Sequence, residues 1–234
     1  RRLRHLSVSM KEDLKHIPLS LNGASMLPRE PVKSLVKLVL FVPQSFAVLS
    51  SDGANSRLSD CFPNLEVLRL SGSITSILER VHLERLPRTL RDLTLAYHSI
   101  TRKLIPVEWI ESLPTNLERL SLPSFNLTEE SHDDEMTSTI SWPPGLTKLR
   151  IGRLPSLRHF RTLPKRLIKF VGASMSAESP EDILMSSLPS SLTHLGINQS
   201  YTPTFVLDVP LNPCMKLCRV PSMMVPGGQR PTAT

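Results

Sequence analysis

The sequence contains little cysteine, and this limits the kinds of protein it can be. Only three cysteines occur among 234 residues, at Cys61, Cys214 and Cys218. They are too few and too unevenly placed for a disulfide framework, which excludes a small disulfide-stapled secreted domain and favours a reducing compartment. Cys214 and Cys218 could supply two metal ligands, but no histidine or further cysteine follows them. We therefore expect free thiols and no metal.

Long apolar runs are also missing from the sequence. The most apolar stretch, Leu35 to Leu49, is interrupted by Lys37, Pro43 and Gln44, so it is too short and too broken to span a bilayer. The N-terminal Arg1-Arg2-Leu3-Arg4 is not followed by the apolar segment of a secretory signal. We therefore expect no contact with a membrane and a cytoplasmic location.

The sequence also lacks the common motifs of catalytic sites. The sequence contains no Gly-x-Ser-x-Gly, no phosphate-binding glycine loop and no His-Glu-x-x-His. His132-Asp133-Asp134 lies in an acidic stretch, Thr128 to Thr139, which is typical of a solvated loop rather than of a metal site. The sequence therefore predicts a protein that is not an enzyme and needs no cofactor.

What the sequence has instead is a recurrent leucine pattern, Leu-x-x-Leu-x-Leu. Successive copies start 21 to 32 residues apart, with a mean of 27, and a period of this length indicates a stack of similar units. The copy from Leu167 is weaker than the others, because Phe170 and Gly172 stand at its second and third positions. A proline stands three residues before the first leucine in the last five copies. The copies begin at Leu3, Leu35, Leu65, Leu90, Leu117, Leu146, Leu167 and Leu192.

The pattern and its period resemble the leucine-rich repeat superfamily, from Leu3 to about Gln199. The Leu-Pro-x-x-Leu-x-x-Leu form is similar to the FNIP-type repeats of amoebae and to the shorter repeats of certain bacterial effectors; Leu113-Pro114-Thr115-Asn116-Leu117 is the nearest single copy. The asparagine that the family has eight residues after the first leucine is absent, and His98 and Phe125 stand there in two copies. No asparagine ladder is therefore expected.

The resemblance and the period predict an α/β fold, a leucine-rich repeat solenoid. We expect a parallel concave sheet of about eight short strands, with irregular or short helical linkers on the convex side. Short helices are expected at Val107 to Glu111, at Ile77 to Leu86, and after Ser179-Pro180 through Ile183-Leu184. Each proline is expected to straighten the chain that leads into its strand.

Two regions are expected along the chain. Residues 1–199 form the solenoid, and because the chain begins within a copy of the pattern, we expect it to be truncated at its N-terminus. Residues 200–234 contain six prolines and few charges, so they are expected to be irregular or disordered, to be unable to extend the sheet, and at most to form part of a C-terminal cap.

The residues on either side of each middle leucine should face away from the core. They include six Lys or Arg and one Asp, Asp92. A run of eight basic residues from Lys148 to Lys169 adds to these, and no acidic residue occurs from Met136 to Ala177. With a net charge of +7, the sequence predicts a positive concave surface. Its expected partner-binding residues are Arg69, Arg119, Lys148, Arg150 and Lys169.

Three functions remain open at this stage. The first is a non-catalytic scaffold that binds another protein, one with an acidic surface, as in the substrate-binding arm of a ubiquitin-ligase subunit whose F-box would lie upstream. The second is binding of a polyanion or phosphate through the Lys148–Lys169 run; nucleic acid is disfavoured because aromatic residues are few there. The third is a ligase effector, but nothing after Gln199 is long enough for its catalytic domain.

Overall fold

The chain is an α/β protein built on a parallel sheet. The computed structural model describes residues 3–9, 30–42, 58–72, 86–97, 103–128, 140–154, 157–173, 183–184, 188–198, 205–206 and 216–220. Two four-residue α-helices, α1 (Leu58–Cys61) and α2 (Glu108–Glu111), and a 3-10 helix (Leu157–Phe160) lie between strands. The strands are β1 (His5–Ser9), β2 (Lys37–Val42), β3 (Val67–Gly72), β4 (Asp92–Tyr97), β5 (Lys103–Pro106), β6 (Arg119–Thr128), β7 (Lys148–Arg153), β8 (Lys169–Ala173), β9 (Ile183–Leu184), β10 (His194–Asn198), β11 (Phe205–Val206) and β12 (Lys216–Val220).

Ten of these strands form one sheet in the order β1-β2-β3-β4-β6-β7-β8-β10-β12, with β5 paired to the second half of β6. Strands β9 and β11 form a separate two-stranded sheet. Each of the eight leucine copies contributes one strand, and each strand pairs in parallel with the strand of the next copy. The predicted parallel sheet is therefore confirmed, and β5 and β12 extend it.

The register of the sheet places equivalent leucines beside one another. Leu93 pairs with Leu120 and Leu120 with Leu149, and each of these side chains is at most 1% exposed. Because side chains alternate between the two faces of a strand, one register aligns the whole apolar set on the buried face. The predicted stacking of these three leucines is confirmed. Leu3 differs, since it precedes the edge strand β1 and is 53% exposed.

In the weaker copy, which begins at Leu167 and supplies strand β8, a larger side chain at one core position is balanced by a missing side chain at the next. Phe170 occupies the place of a middle leucine, and its ring packs edge-on against Phe160 with centroids 5.2 Å apart. A Cβ atom on Gly172 would lie 2.7 Å from that ring. Glycine at position 172 therefore leaves the space that the Phe170 ring fills. The total core volume is kept, and a closely packed core tolerates volume-conserving changes best.

The proline that precedes each of the last five copies begins a tight turn, so the prediction that it straightens the chain before the strand is wrong. The carbonyl of Pro87 accepts a hydrogen bond from the N–H of Leu90 at 3.0 Å, and Pro114 does the same for Leu117. Pro143, Pro164 and Pro189 repeat this three-residue spacing. A missing N–H at the first turn position costs nothing, because that position only supplies the carbonyl.

The turns are joined from copy to copy by side chains that donate to backbone carbonyls. In each case the donor directly precedes the first leucine, and the acceptor belongs to the preceding copy. The bonds run from Asn64 Nδ2 to the Lys33 carbonyl (2.8 Å), from Thr89 Oγ1 to Pro63 (3.1 Å) and Leu65 (2.8 Å), from Asn116 Nδ2 to Arg88 (3.1 Å), and from Ser191 Oγ to Lys165 (2.8 Å) and Leu167 (2.7 Å). We call this the turn ladder.

The turn ladder should contribute measurably to stability. Thr89→Val keeps the shape of the side chain but removes its hydroxyl donor, so we expect the free energy of unfolding in urea to fall by about 1 kcal/mol. Thr115→Val, at an exposed position of the next turn, is the matched control and should change it by about 0.5 kcal/mol or less. Equal effects of the two substitutions would show that the ladder does not stabilise the stack.

The linkers and the C-terminal region correct other predictions. The helix expected at Val107 to Glu111 is confirmed as α2, whereas Ile183–Leu184, expected to be helical, is strand β9. Residues 77–85, 129–139 and 179–182 lie outside the described residues. The prediction that residues 200–234 cannot extend the sheet is wrong, because β12 joins the sheet and Leu217 pairs with Leu195. Cys214 stands where a first leucine would, and this weakened the pattern in the sequence.

Candidate functional site

The face of the sheet opposite the leucines carries two columns of side chains, and we call it the polar face. In β7, Lys148 and Arg150 are exposed on either side of the buried Leu149, as expected for period-two alternation. The column before the middle leucine contains His5, Lys37, Val67, Asp92, Arg119, Lys148, Lys169, His194 and Lys216. The column after it contains Ser7, Val39, Arg69, Thr94, Ser121, Arg150, Val171 and Gly196. The two columns read from the sequence are thus confirmed over all eight copies.

The five residues that the sequence proposed for partner binding lie together in one groove. The groove has a volume of about 360 Å³ and crosses strands β3, β4, β6, β7 and β8. Neighbouring strands are about 4.8 Å apart, so it extends roughly 19 Å across the sheet. Its polar lining residues are Arg69, Asp92, Thr94, Arg119, Ser121, Lys148, Arg150 and Lys169. We call it the basic groove.

Asp92 gives one end of the basic groove a built-in counter-charge. Its Oδ2 lies 2.6 Å from Nη2 of Arg69 and 4.0 Å from Nη1 of Arg119, and Thr94 Oγ1 donates to its Oδ1 at 3.5 Å. Asp92 is only 8% exposed, so its carboxylate is held largely out of water between two guanidinium groups. This end of the groove therefore carries less net positive charge than its two arginines alone would give it. One signal of this counter-charge was visible in the sequence, since Asp92 is the lone acid in the two columns.

Arg69 depends strongly on this contact. Its Nε is buried and makes no hydrogen bond within the described residues, while its Nη2 meets Asp92. The Arg69 side chain is 43% exposed, compared with 11% for Asp92. Because Asp92 already occupies this guanidinium, Arg69 is a poor candidate for direct contact with a partner. The structure thus brings Arg69 into the groove, as a residue paired with Asp92.

The opposite end of the basic groove is positive and uncompensated. Lys148, Arg150 and Lys169 are exposed, and within the described part of the chain no acidic side chain forms an ion pair with any of them. Lys148 and Lys169 are direct neighbours in register, and Arg150 stands two residues along β7 from Lys148. The three charges lie within about 10 Å, close to the Debye length at physiological salt, so their fields add.

The longer basic run from Lys148 to Lys169 does not form a single surface. Three of its eight basic residues, Lys148, Arg150 and Lys169, line the basic groove. Arg161, Lys165 and Arg166 are exposed in the segment before β8 and do not line it. The count of basic residues along the sequence therefore overstated the charge that any one ligand can meet.

The described residues contain few other side chains suited to metal binding or nucleophilic chemistry. No group of three His, Cys, Asp or Glu side chains there is placed to hold a metal ion, and no helix there is long and apolar enough to cross a membrane. Burial raises the pKa of the Cys61 thiol, and the neighbouring Asp60 carboxylate raises it further. A raised pKa keeps the thiol protonated and therefore a weak nucleophile. Cys214 and His132 lie outside the described residues.

Comparisons of the chain with protein-family models, with curated proteins and with solved structures found no match.

Proposed function

We propose that this chain is a leucine-rich repeat solenoid whose polar face is the concave side, and that it is a non-catalytic scaffold of the cytoplasm that binds another protein. The basic groove is the docking site, and the acidic surface of the partner is what it recognises. The observation that carries the proposal is the uncompensated positive end of the groove, formed by Lys148, Arg150 and Lys169. A repeat stack presents such side chains on a broad face without any need for a catalytic pocket.

The position of these charges favours binding over a purely solvating role. They stand on adjacent hydrogen-bonded strands above the buried Leu149 and Phe170, so their backbone positions are set before a partner arrives. Binding groups that are already ordered lose less entropy on association. Clustered charges of one sign also accelerate the encounter with an oppositely charged surface, in a manner that weakens as salt rises.

Binding of a phosphate-bearing polyanion is the second candidate, and the same three cations favour it. Single-stranded nucleic acid is less well matched, because proteins that bind it stack bases on aromatic side chains. The residues that line the basic groove include no aromatic side chain. We therefore rank an acidic protein segment above a nucleic acid.

Fluorescence anisotropy with defined probes tests the proposed function. A labelled glutamate-rich peptide should bind the full chain, and its affinity should fall by about tenfold or more between about 50 mM and about 300 mM NaCl because the attraction is screened. A lysine-rich peptide of equal length should not bind. If an oligothymidine of matched charge binds more tightly than the glutamate-rich peptide, the acidic-protein assignment is wrong and the polyanion alternative takes its place.

A further inference from the structure

The column before the middle leucine continues beyond the groove with a half-buried histidine, His194, and an exposed lysine, Lys216. Following the register from β6, the column before the middle leucine reads Arg119, Lys148, Lys169, His194 and Lys216. These residues occupy five consecutive strands of the sheet, β6, β7, β8, β10 and β12. We call this line the basic column. Lys216 enters it only because β12 joins the sheet, which was not predicted from the sequence.

The basic column has a fixed spacing that a ligand must match. Adjacent strands lie about 4.8 Å apart, so the four steps from Arg119 to Lys216 cover roughly 19 Å, at right angles to the strands. Along any one strand, by contrast, each column contributes one residue, and these two residues are about 6.7 Å apart. The long dimension of the positive surface therefore runs across the strands, and a linear ligand gains the most contacts when it lies in that direction.

The neighbouring column leaves room for the body of such a ligand. Beside the basic column stand Ser121, Arg150, Val171 and Gly196, so three of these four positions carry a small side chain or none. Val171 is only partly buried, and Ser121 and Val171 line the basic groove. These four residues form the floor of a shallow channel beside the basic column, and Arg150 is the one long side chain among the four.

An α-helix matches this spacing better than an extended peptide. Side chains on one face of a helix recur about once per turn, roughly every 5.4 Å, so four steps cover about 22 Å. In an extended chain the side chains on one face recur about every 6.7 Å, and four steps cover about 27 Å. The mismatch against roughly 19 Å is about 3 Å for the helix and about 8 Å for the extended chain, so the Lys and Arg side chains need to bend less to meet the carboxylates of a helix.

We propose that the element recognised here is an α-helix with a stripe of carboxylates one turn apart, laid across the strands along the basic column with its backbone above the channel. This inference rests on the proposed function and specifies the partner for the same site. Asp92 precedes Arg119 in the column and ends the positive line. A ligand carboxylate one further turn along would meet the Asp92 carboxylate, so the acidic stripe is limited to the length of the column and its register is defined.

Peptide isomers separate the helical stripe from simple charge attraction. A labelled, alanine-rich peptide of about 20 residues carries glutamates spaced three and four residues apart on one face, and an isomer of the same composition distributes the glutamates around the helix. A third peptide keeps the striped sequence but has two central prolines that break the helix. Helicity is checked by circular dichroism. The striped helix should bind the full chain at least about tenfold more tightly than either of the others.

The results distinguish this inference from the function on which it rests. If all three peptides bind equally well, and binding is lost when Lys148, Arg150 and Lys169 are replaced together by glutamate, the acidic-segment function stands and the helical stripe is wrong. If the proline-containing peptide binds most tightly, the ligand is extended and the inference is overturned. If none of the peptides binds the unmodified chain, the proposed function and this inference both fail.

A single substitution at the far end of the basic column supplies an independent test. Lys216→Glu should weaken binding of the striped helix by about five- to tenfold, because an attraction is replaced by a repulsion. The same substitution should leave binding of the isomer with glutamates distributed around the helix nearly unchanged. Lys165→Glu makes the same change of charge at an exposed position outside the basic groove and should have little effect on either peptide. Equal effects of the two substitutions would show that the column does not extend to β12 in the bound state.

Discussion

Replacing Leu120 with alanine is expected to lower the free energy of unfolding by about 2–5 kcal/mol. Leu120 is 1% exposed and lies between Leu93 and Leu149, its register neighbours on the two adjoining strands. Removing its side chain leaves a cavity that these neighbours cannot fill, because the hydrogen-bonded strands on both sides hold their backbone positions. Urea unfolding followed by circular dichroism measures the change.

The adjacent residue provides a matched control for this substitution. The Arg119 side chain is half exposed on the opposite face of β6, and its distance to the Asp92 carboxylate is 4.0 Å. Arg119→Gln should therefore change the free energy of unfolding by about 0.5 kcal/mol or less, since exposed ion pairs contribute little. Comparable losses from the two substitutions would contradict the assignment of Leu120 to the core and of Arg119 to the polar face.

Replacing Lys148, Arg150 and Lys169 together with glutamate should abolish binding of a glutamate-rich peptide or an acidic partner. The substitutions reverse all three uncompensated charges at the positive end of the basic groove and leave Arg119 as its remaining cation beyond the Arg69–Asp92 pair. If each reversal costs about 1 kcal/mol or more in binding, the dissociation constant rises by at least about a hundredfold. Because the three side chains are exposed, the circular dichroism spectrum and the urea midpoint should change little.

The control for this experiment carries the same change in net charge at another place. Arg88, Arg161 and Lys165 are exposed and do not line the basic groove, so their joint replacement with glutamate should reduce the affinity only slightly through the long-range field. If both triple variants bind equally well, the groove has no role in recognition. If both lose binding to the same extent, net charge rather than the groove determines the affinity.

Much of the fold follows from the spacing of a few residues. Leu-x-x-Leu-x-Leu fixes which side chains alternate into the core, and neighbouring copies align because a shift of one residue would expose every leucine. Both columns of the polar face, and with them the five expected partner-binding residues in the basic groove, could therefore be read from the sequence. The helix α2 was also predictable from its local composition. Strand β9 was not, because Ile183–Leu184 is paired by β11, which lies 21 or more residues further along the chain.

The candidate site shows the same division between local pattern and distant contact. Its positive side chains were determined by the sequence alone, since each stands beside a middle leucine or its replacement. The neutralisation of Arg69 by Asp92 was decided by tertiary structure, because these residues belong to different copies and meet only when β3 and β4 pair.

Sequence spacing by itself thus determined which face each strand residue occupies, because alternation is a local property of an extended chain. Tertiary structure decided which residues stand beside one another across the strands, and it brought Lys216 into line with His194 although the preceding pattern is lost at Cys214. It also turned the prolines into the start of tight turns. The physical reason is that hydrogen bonds between copies stabilise a strand or a turn whose own sequence specifies it only weakly.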